Sequence, residues 1–248
     1  MTVIYVLWLR QLKRYARSRS RIIGSLGQPL IFLFVLGFGF DPVFRKAGQG
    51  NYVEFLAPGV IGMTLLFTSV FSGIDLLWDR QLGFLKETLV APVPRVNIMI
   101  GRTFGGATVA LIQGLMVFTI LCVAGFRPKS VGGVTMALAF MTLIAVVFTA
   151  LGTAVAAALD DVQGFQSVMN FLVTPMFFLS GALFPLVNLP KVLEILARID
   201  PLSYGVDGLR GSLVGLTQFG LAMDLTVLVA LAAAFLTLGG YLFSRIEI

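Results

Sequence analysis

The chain has 248 residues, of which 58% are hydrophobic and only 12% are charged. A soluble domain carries about a quarter charged residues, so this composition excludes a soluble globular protein and points to an all-α polytopic membrane protein. The net charge of +6 does not point to nucleic acid, because six of the 18 basic residues lie in the first 21 positions and the rest are scattered between apolar runs. No histidine is present and Cys122 is the single cysteine, which removes histidine-based catalysis, metal ligation and pH switching as well as any disulfide within the chain.

At the N-terminus, Arg10, Lys13, Arg14, Arg17 and Arg21 fall on one helical arc and Ile4, Tyr5, Trp8, Leu12 and Tyr15 on the opposite one. This predicts an amphipathic interfacial helix over 1–21 in the headgroup plane, with basic groups toward phosphates and aromatic groups dipping inward. Arg19 breaks the pattern, so the helix is expected to end before it. A plain positive-inside anchor and a docking surface both remain open. The basic region is too long for a cleavable signal peptide, and no small-residue cleavage site follows it.

Six segments are long enough to cross a bilayer, which takes about 20 apolar residues. They lie near 22–40, 55–77, 103–125, 131–159, 162–184 and 225–243. Only Asp160 and Asp161 separate the fourth from the fifth, which implies a tight solvated turn. A five-span alternative would place two carboxylates at mid-membrane, at considerable cost. With the N-terminus in the cytosol, inside segments carry 11 Lys and Arg and outside segments carry 7. That is a modest positive-inside bias that puts both termini in the cytosol.

Between the second and third spans lies DRQLGFLKETLVAPVPR, residues 79–95. Trp78, Leu82, Leu85 and Leu89 are spaced to share one helical face, with Arg80, Lys86 and Glu87 projecting elsewhere. Pro92 and Pro94 end the helix. Its charges nearly cancel, so docking here would depend on shape and particular pairs.

In 185–224, Pro190 suits a helix start, followed by an apolar stripe of Val192, Ile195, Leu196 and Ile199 and a polar stripe of Lys191, Glu194 and Arg198. Asp200 and Pro201 look like an N-cap followed by proline at the first helical position. Two short helices, too short to cross, are expected before the last span.

No phosphate-binding loop, HExxH, GxSxG or cysteine cluster occurs. No metal site is expected, and an intramembrane enzyme has no support. Gly101, Gly105, Gly106, Gly114, Gly239 and Gly240 read as helix-packing positions. Asp75 and Asp224, near span ends, are either headgroup-boundary carboxylates or proton-coupling groups.

Three segments together resemble the type 2 ABC-transporter permeases, the group of daunorubicin-resistance-type and nodulation-factor-type exporters. They are FLAPG at 55–59, KETLVAPVPR at 86–95, and DPLSY at 200–204 with DGLR at 207–210. The resemblance covers nearly the whole chain as one transmembrane domain. It implies six spans, an N-terminal interfacial helix and an outer re-entrant hairpin at 185–210 between spans five and six. It also implies efflux of a lipophilic or amphiphilic cargo, such as a drug, a lipid or a lipid-linked saccharide, as multidrug exporters perform. Two permease copies, a homodimer or a heterodimer, would pair with two copies of a separate ABC ATPase in the inner membrane of a prokaryote, in contact with membrane lipids. ATP and Mg would bind the ATPase, and this chain would hold no cofactor. The segment 78–95 then corresponds to the coupling helix, with Arg80, Lys86, Glu87 and Arg95 toward the ATPase and Leu82, Leu85 and Leu89 packing it. Pro201, Tyr204, Asp207 and Arg210 would serve the outer gate. The alternative is a proton-coupled secondary transporter using Asp75 or Asp224, for which no inverted repeat or broken span is evident.

Overall fold

The computed structural model describes residues 2–46, 51–90, 92–186 and 190–245. Among these residues every regular element is helical. They are α1 (Thr2–Arg17), α2 (Arg19–Ile31), a π-helical segment (Phe32–Leu36), α3 (Gly37–Lys46), α4 (Tyr52–Phe71), α5 (Ile74–Gln81), α6 (Phe84–Val90), α7 (Arg95–Val123), α8 (Val131–Ala158), α9 (Val162–Leu179), α10 (Lys191–Ile199), α11 (Pro201–Val214) and α12 (Leu221–Ser244).

Local sequence sets many of these boundaries. Asn51, Ser130, Asp161 and Asp200 are N-caps whose side chains accept the otherwise orphaned N–H groups of Val53, Gly133, Gly164 and Leu202. Pro201 occupies the first turn of α11, where its missing N–H costs nothing. Within α2, Pro29 removes one backbone donor, and the π-helical segment begins three residues later.

Five stretches are long and apolar enough to cross a membrane: Ile22–Val43, Tyr52–Gln81, Arg95–Val123, Val131–Ala158 and Leu221–Ser244. The most apolar part of Tyr52–Gln81 is 72% buried within the chain, against 17% for Ile22–Val43 and for Leu221–Ser244. One helix is therefore central, and two present apolar surface outward, as lipid-facing helices do. The segment expected as the fifth span, 162–184, is α9 followed by a turn at Ser180 and Gly181. Gln163, Gln166 and Asn170 lower its apolar character. With 18 residues, α9 is about 27 Å long at ~1.5 Å per residue.

The bundle has two ends. At the first, α1, α5, α6, residues 159–162 and the end of α12 come together: Arg80 reaches Asp160 at 2.7 Å, and Arg95 donates to the Ser244 carbonyl at 2.8 Å. At the second lie residues 180–186, α10, α11 and the start of α4, where the Tyr52 hydroxyl donates to the Leu183 carbonyl at 2.8 Å. α9 runs from the first end to the second.

The N-terminal helix ends at Arg17, before Arg19. It lies along the start of α7, and a Cβ on Gly101 would sit 3.0 Å from the Ile4 carbonyl oxygen. A Cβ on Gly105 would meet Gln11 at 2.8 Å. Those glycines are packing positions. Gly240, by contrast, faces open space.

The helix expected across 79–95 is a correction. α5 ends at Gln81, Gly83 takes φ +78, and a new helix starts at Phe84. The Leu82 and Gly83 N–H groups close the end of α5 on the Trp78 and Arg80 carbonyls. The break rotates the two halves independently, so the assumed common face does not form. Leu85 is 2% exposed, while Leu82 is 76% exposed and Trp78 44%. The Leu89 side chain lies outside the described residues.

Candidate functional site

At the first end, Asp79 is the hub of a buried charge cluster. Arg10 of α1 grips its carboxylate through two hydrogen bonds of 2.9 Å. Arg102 of α7 donates to it at 2.7 Å, with both side chains 4% exposed. Arg14 lies 3.5 Å from Asp75 and 3.8 Å from Asp79. A charge at this depth persists only when paired, and the fork of Arg10 matches the carboxylate geometry. The Arg10 guanidinium also lies over the Phe84 ring, 3.9 Å from its centroid. One side chain of α1 thus holds both α5 and α6. The basic arc of α1 is accordingly divided: Arg10 and Arg14 turn onto aspartates, while Lys13 and Arg17 remain exposed.

The expected coupling residues separate in the same way. Lys86 and Glu87 are exposed on α6, and no ion pair or hydrogen bond holds either side chain among the described residues. Leu85 anchors α6 in the core. Arg80 is not free for a partner, since it bonds Asp160 and the Leu159 carbonyl at 3.2 Å. Arg95 joins the start of α7 to the end of α12.

At the second end, Pro201, Tyr204, Asp207 and Arg210 all belong to α11, which is almost wholly buried. Asp207 accepts from the Gln218 and Phe219 N–H groups and the Thr217 hydroxyl, fixing the loop before α12. The Tyr204 hydroxyl donates to the Arg198 carbonyl at 2.7 Å, tying α11 to α10. Arg210 donates to the Gly181 carbonyl at 2.8 Å and stacks on Phe55, 4.0 Å from the ring centroid. A Cβ on Gly59 would lie 2.2 Å from the Ala182 carbonyl oxygen. The FLAPG segment, the turn after α9 and the DGLR segment therefore form one junction. Burial pushes the Asp200 carboxyl up to about 7 against the opposing pull of the Leu202 N–H and the Ser203 hydroxyl. Burial also draws the Arg210 guanidinium down to about 10, opposed by the nearby Asp207 charge.

Asp75 is held in the Arg14 neighbourhood. Asp224, in the first turn of α12, is fully buried, and neither carboxylate oxygen has a hydrogen-bond partner among the described residues. Among the described residues no cluster of carboxylate or thiol groups is arranged to hold a metal ion.

Comparison with known proteins gives a consistent picture. The family described as "ABC-2 type transporter" matches residues 2–214. Nodulation protein J of Rhizobium leguminosarum bv. trifolii is 28% identical over 213 residues, covering 85% of this chain and 78% of that protein. Nodulation protein J of Sinorhizobium fredii is 26% identical over 238 residues, covering 94% and 90%. The candidate transport permease ycf38 of Cyanophora paradoxa is 28% identical over 210 residues, covering 84% and 72%.

Proposed function

This chain belongs to the ABC-2 type transporter family, and from that premise we propose that it is the membrane-spanning permease subunit of an ATP-driven exporter. Two copies of a separate ABC ATPase hold ATP and Mg and supply the energy. The permease itself pairs as a dimer, a homodimer in the simplest case, in the inner membrane of a prokaryote, with α1, α6 and both termini in the cytosol. α9 makes the sixth crossing, and α10 with α11 forms the outer hairpin that gates the exit. The cargo is lipophilic or amphiphilic, in keeping with the low charge of the chain.

The observation that carries this reading is the mounting of α6. A short helix exposes Lys86 and Glu87 outward while Leu85 and the Arg10–Phe84 contact fasten it to the bundle. A push on its exposed face reaches α5 and α1 through Arg10, and α7 through Asp79 and Arg102. The test is ATPase co-purification together with cargo export in reconstituted vesicles. Glu87→Lys should weaken ATPase association and export while leaving the permease folded. Unchanged association in Glu87→Lys removes Glu87 from the docking face, and absence of any ATPase partner overturns the reading.

A proton-coupled transporter is the second reading, because the buried Asp224 carboxylate has no hydrogen-bond partner among the described residues. Transport that survives ATP depletion and collapses with an uncoupler would select it.

A further inference from the structure

Between α2, α4 and α7 lies a cavity of about 270 Å³. It is lined by the second half of α4 from Met63 to Phe71, by Val109 and Gln113 near the middle of α7, by residues of α2 and by Tyr15 of α1. Among the described residues no charged side chain lines it. Its walls are mostly apolar but carry a polar strip. Thr68 donates to the Gln113 carboxamide oxygen, and the Gln113 amide donates to the Ser25 hydroxyl, which in turn donates to the Ile22 carbonyl. Gln28 also lines the cavity, and it is exposed at the surface of α2. On the same helix as Thr68, Phe67 and Phe71 stack with ring centroids 6.3 Å apart and planes within 12°, adding an aromatic surface to the lining.

An open carboxamide in a membrane span is costly unless something accepts and donates to it. The Thr68–Gln113–Ser25 chain leaves spare capacity too: a second Gln113 amide proton and hydroxyl lone pairs. The need is for a ligand that both donates and accepts, carries no charge, and presents a C–H face to aromatic rings, whose faces are electron-rich. The volume falls just below the range of drug-sized ligand sites, which begins at roughly 300 Å³, and so suits one ring-sized group. On the same pair of helices, Leu26, Ile112, Leu115, Met116 and Ile120 line an open apolar groove of about 470 Å³. Leu26 adjoins Ser25 and Ile112 adjoins Gln113 in sequence, so groove and cavity flank one seam.

We propose that the α2–α4–α7 cavity binds the uncharged, hydroxyl-rich headgroup of an amphiphile, with its alkyl chain in the groove between α2 and α7. This rests on the reading of the chain as a permease for amphiphilic cargo and names the chemistry of the headgroup and its place. Gly24 supplies an independent handle. It lines the cavity, is exposed, and has no atom within 4 Å of where its Cβ would be, so a large side chain is tolerated there and crowds the rim of the cavity. Gly27 has the same open surroundings but is not part of the lining.

The test is equilibrium binding of radiolabelled octyl β-glucoside, below its micellar concentration, to the full chain in phosphatidylcholine nanodiscs. Saturable binding is expected, with octanol, octyl phosphate and free glucose each competing at least about tenfold more weakly. Gly24→Phe and Gln28→Leu should each weaken binding about tenfold, the scale of one lost hydrogen-bonding arrangement, while Gly27→Phe binds as the parent does. Non-saturable binding, or octanol competing as well as the glucoside, overturns the assignment. So does parental affinity in both cavity variants, or a loss in Gly27→Phe equal to that in Gly24→Phe. ATP-driven export is scored separately in vesicles. Binding without export counts against the permease reading, and export without binding counts against this site.

Discussion

Asp79 and Arg102 meet at 2.7 Å, 23 positions apart, each with a side chain only 4% exposed. The pair closes α5 against α7, and the bidentate Arg10 adds α1 to the same carboxylate. Two guanidinium groups on one carboxylate, with Asp75 close to Arg14, make a unit whose parts are not additive. Arg102→Met leaves Asp79 with Arg10 and the more distant Arg14 and should cost about 3 kcal/mol, the lower part of the range for breaking a buried pair. The double variant Asp79→Asn with Arg102→Met should recover part of that loss. Equilibrium unfolding in mixed micelles reads both, and a double variant less stable than the sum of the two singles would contradict the pairing.

Leu85 and Leu82 should behave in opposite ways. Leu85→Ala empties a site that is 2% exposed and should cost about 2–5 kcal/mol. Leu82→Ala, at a side chain 76% exposed, should fall within about 0.5 kcal/mol of the parent. Equal losses on unfolding would restore the single helical face that Gly83 interrupts.

Gly59→Ala and Gly27→Ala make a second contrast. The Gly59 Cβ would sit 2.2 Å from a main-chain oxygen, which no rotamer change relieves. About 1–3 kcal/mol of overpacking cost follows. At Gly27 the added methyl meets nothing and replaces the poorer helix former, so stability should hold or rise by up to about 1 kcal/mol. Thermal midpoints of the two purified variants check the sign.

Asp200 gives a pH signature. Its carboxyl titrates at about 7 when folded, above its ordinary value of 3.8, so the unfolded chain releases the proton first. This group's contribution therefore favours folding most below about pH 4 and declines as pH rises toward about 7. Asp200→Asn keeps a good N-cap and removes the titration. The variant should flatten the stability profile between those limits, and an unchanged slope would place the titration elsewhere.

Arg80 bridges to an aspartate whose side chain is 84% exposed. Such pairs contribute about 0–1 kcal/mol, so Arg80→Ala should barely shift the unfolding midpoint. A large loss of export in that variant with stability intact would mark the 80–160 contact as part of energy coupling. A matching loss of stability would mark it as structural.

Much of the second end was legible in sequence. The Asp200–Pro201 cap and the helix from Lys191 follow from short-range rules, because cap and proline act on their own neighbours, and at the first end the pause before Arg19 was legible from the break in the basic arc. The Asp79 cluster was not legible, since Arg10, Asp79 and Arg102 belong to three helices and only folding brings them together. A signal did exist: a carboxylate and a guanidinium just inside the ends of adjacent spans need partners. Arg210 was singled out by its motif, but its stacking on Phe55, 155 positions away, is a tertiary fact. The single helix over 79–95 failed because periodicity ignores what one glycine at positive φ does to the phase of everything after it.

The π-helical segment Phe32–Leu36 carries a similar phase effect in the other direction. A π turn accommodates one residue more than an α turn, so everything beyond Leu36 is offset by one place from an unbroken helix. That offset acts as a register key between α3 and α4. It sets Gly37 against Val53 and Leu56, where an added carbon would already stand 3.4 Å from Val53. In an unbroken α-helix of the same sequence Leu36 would arrive there instead, and Asp41 would lose its alignment with the Tyr52 N–H, now 3.1 Å away. The peripheral helix is thus keyed to the central one by a single surplus residue.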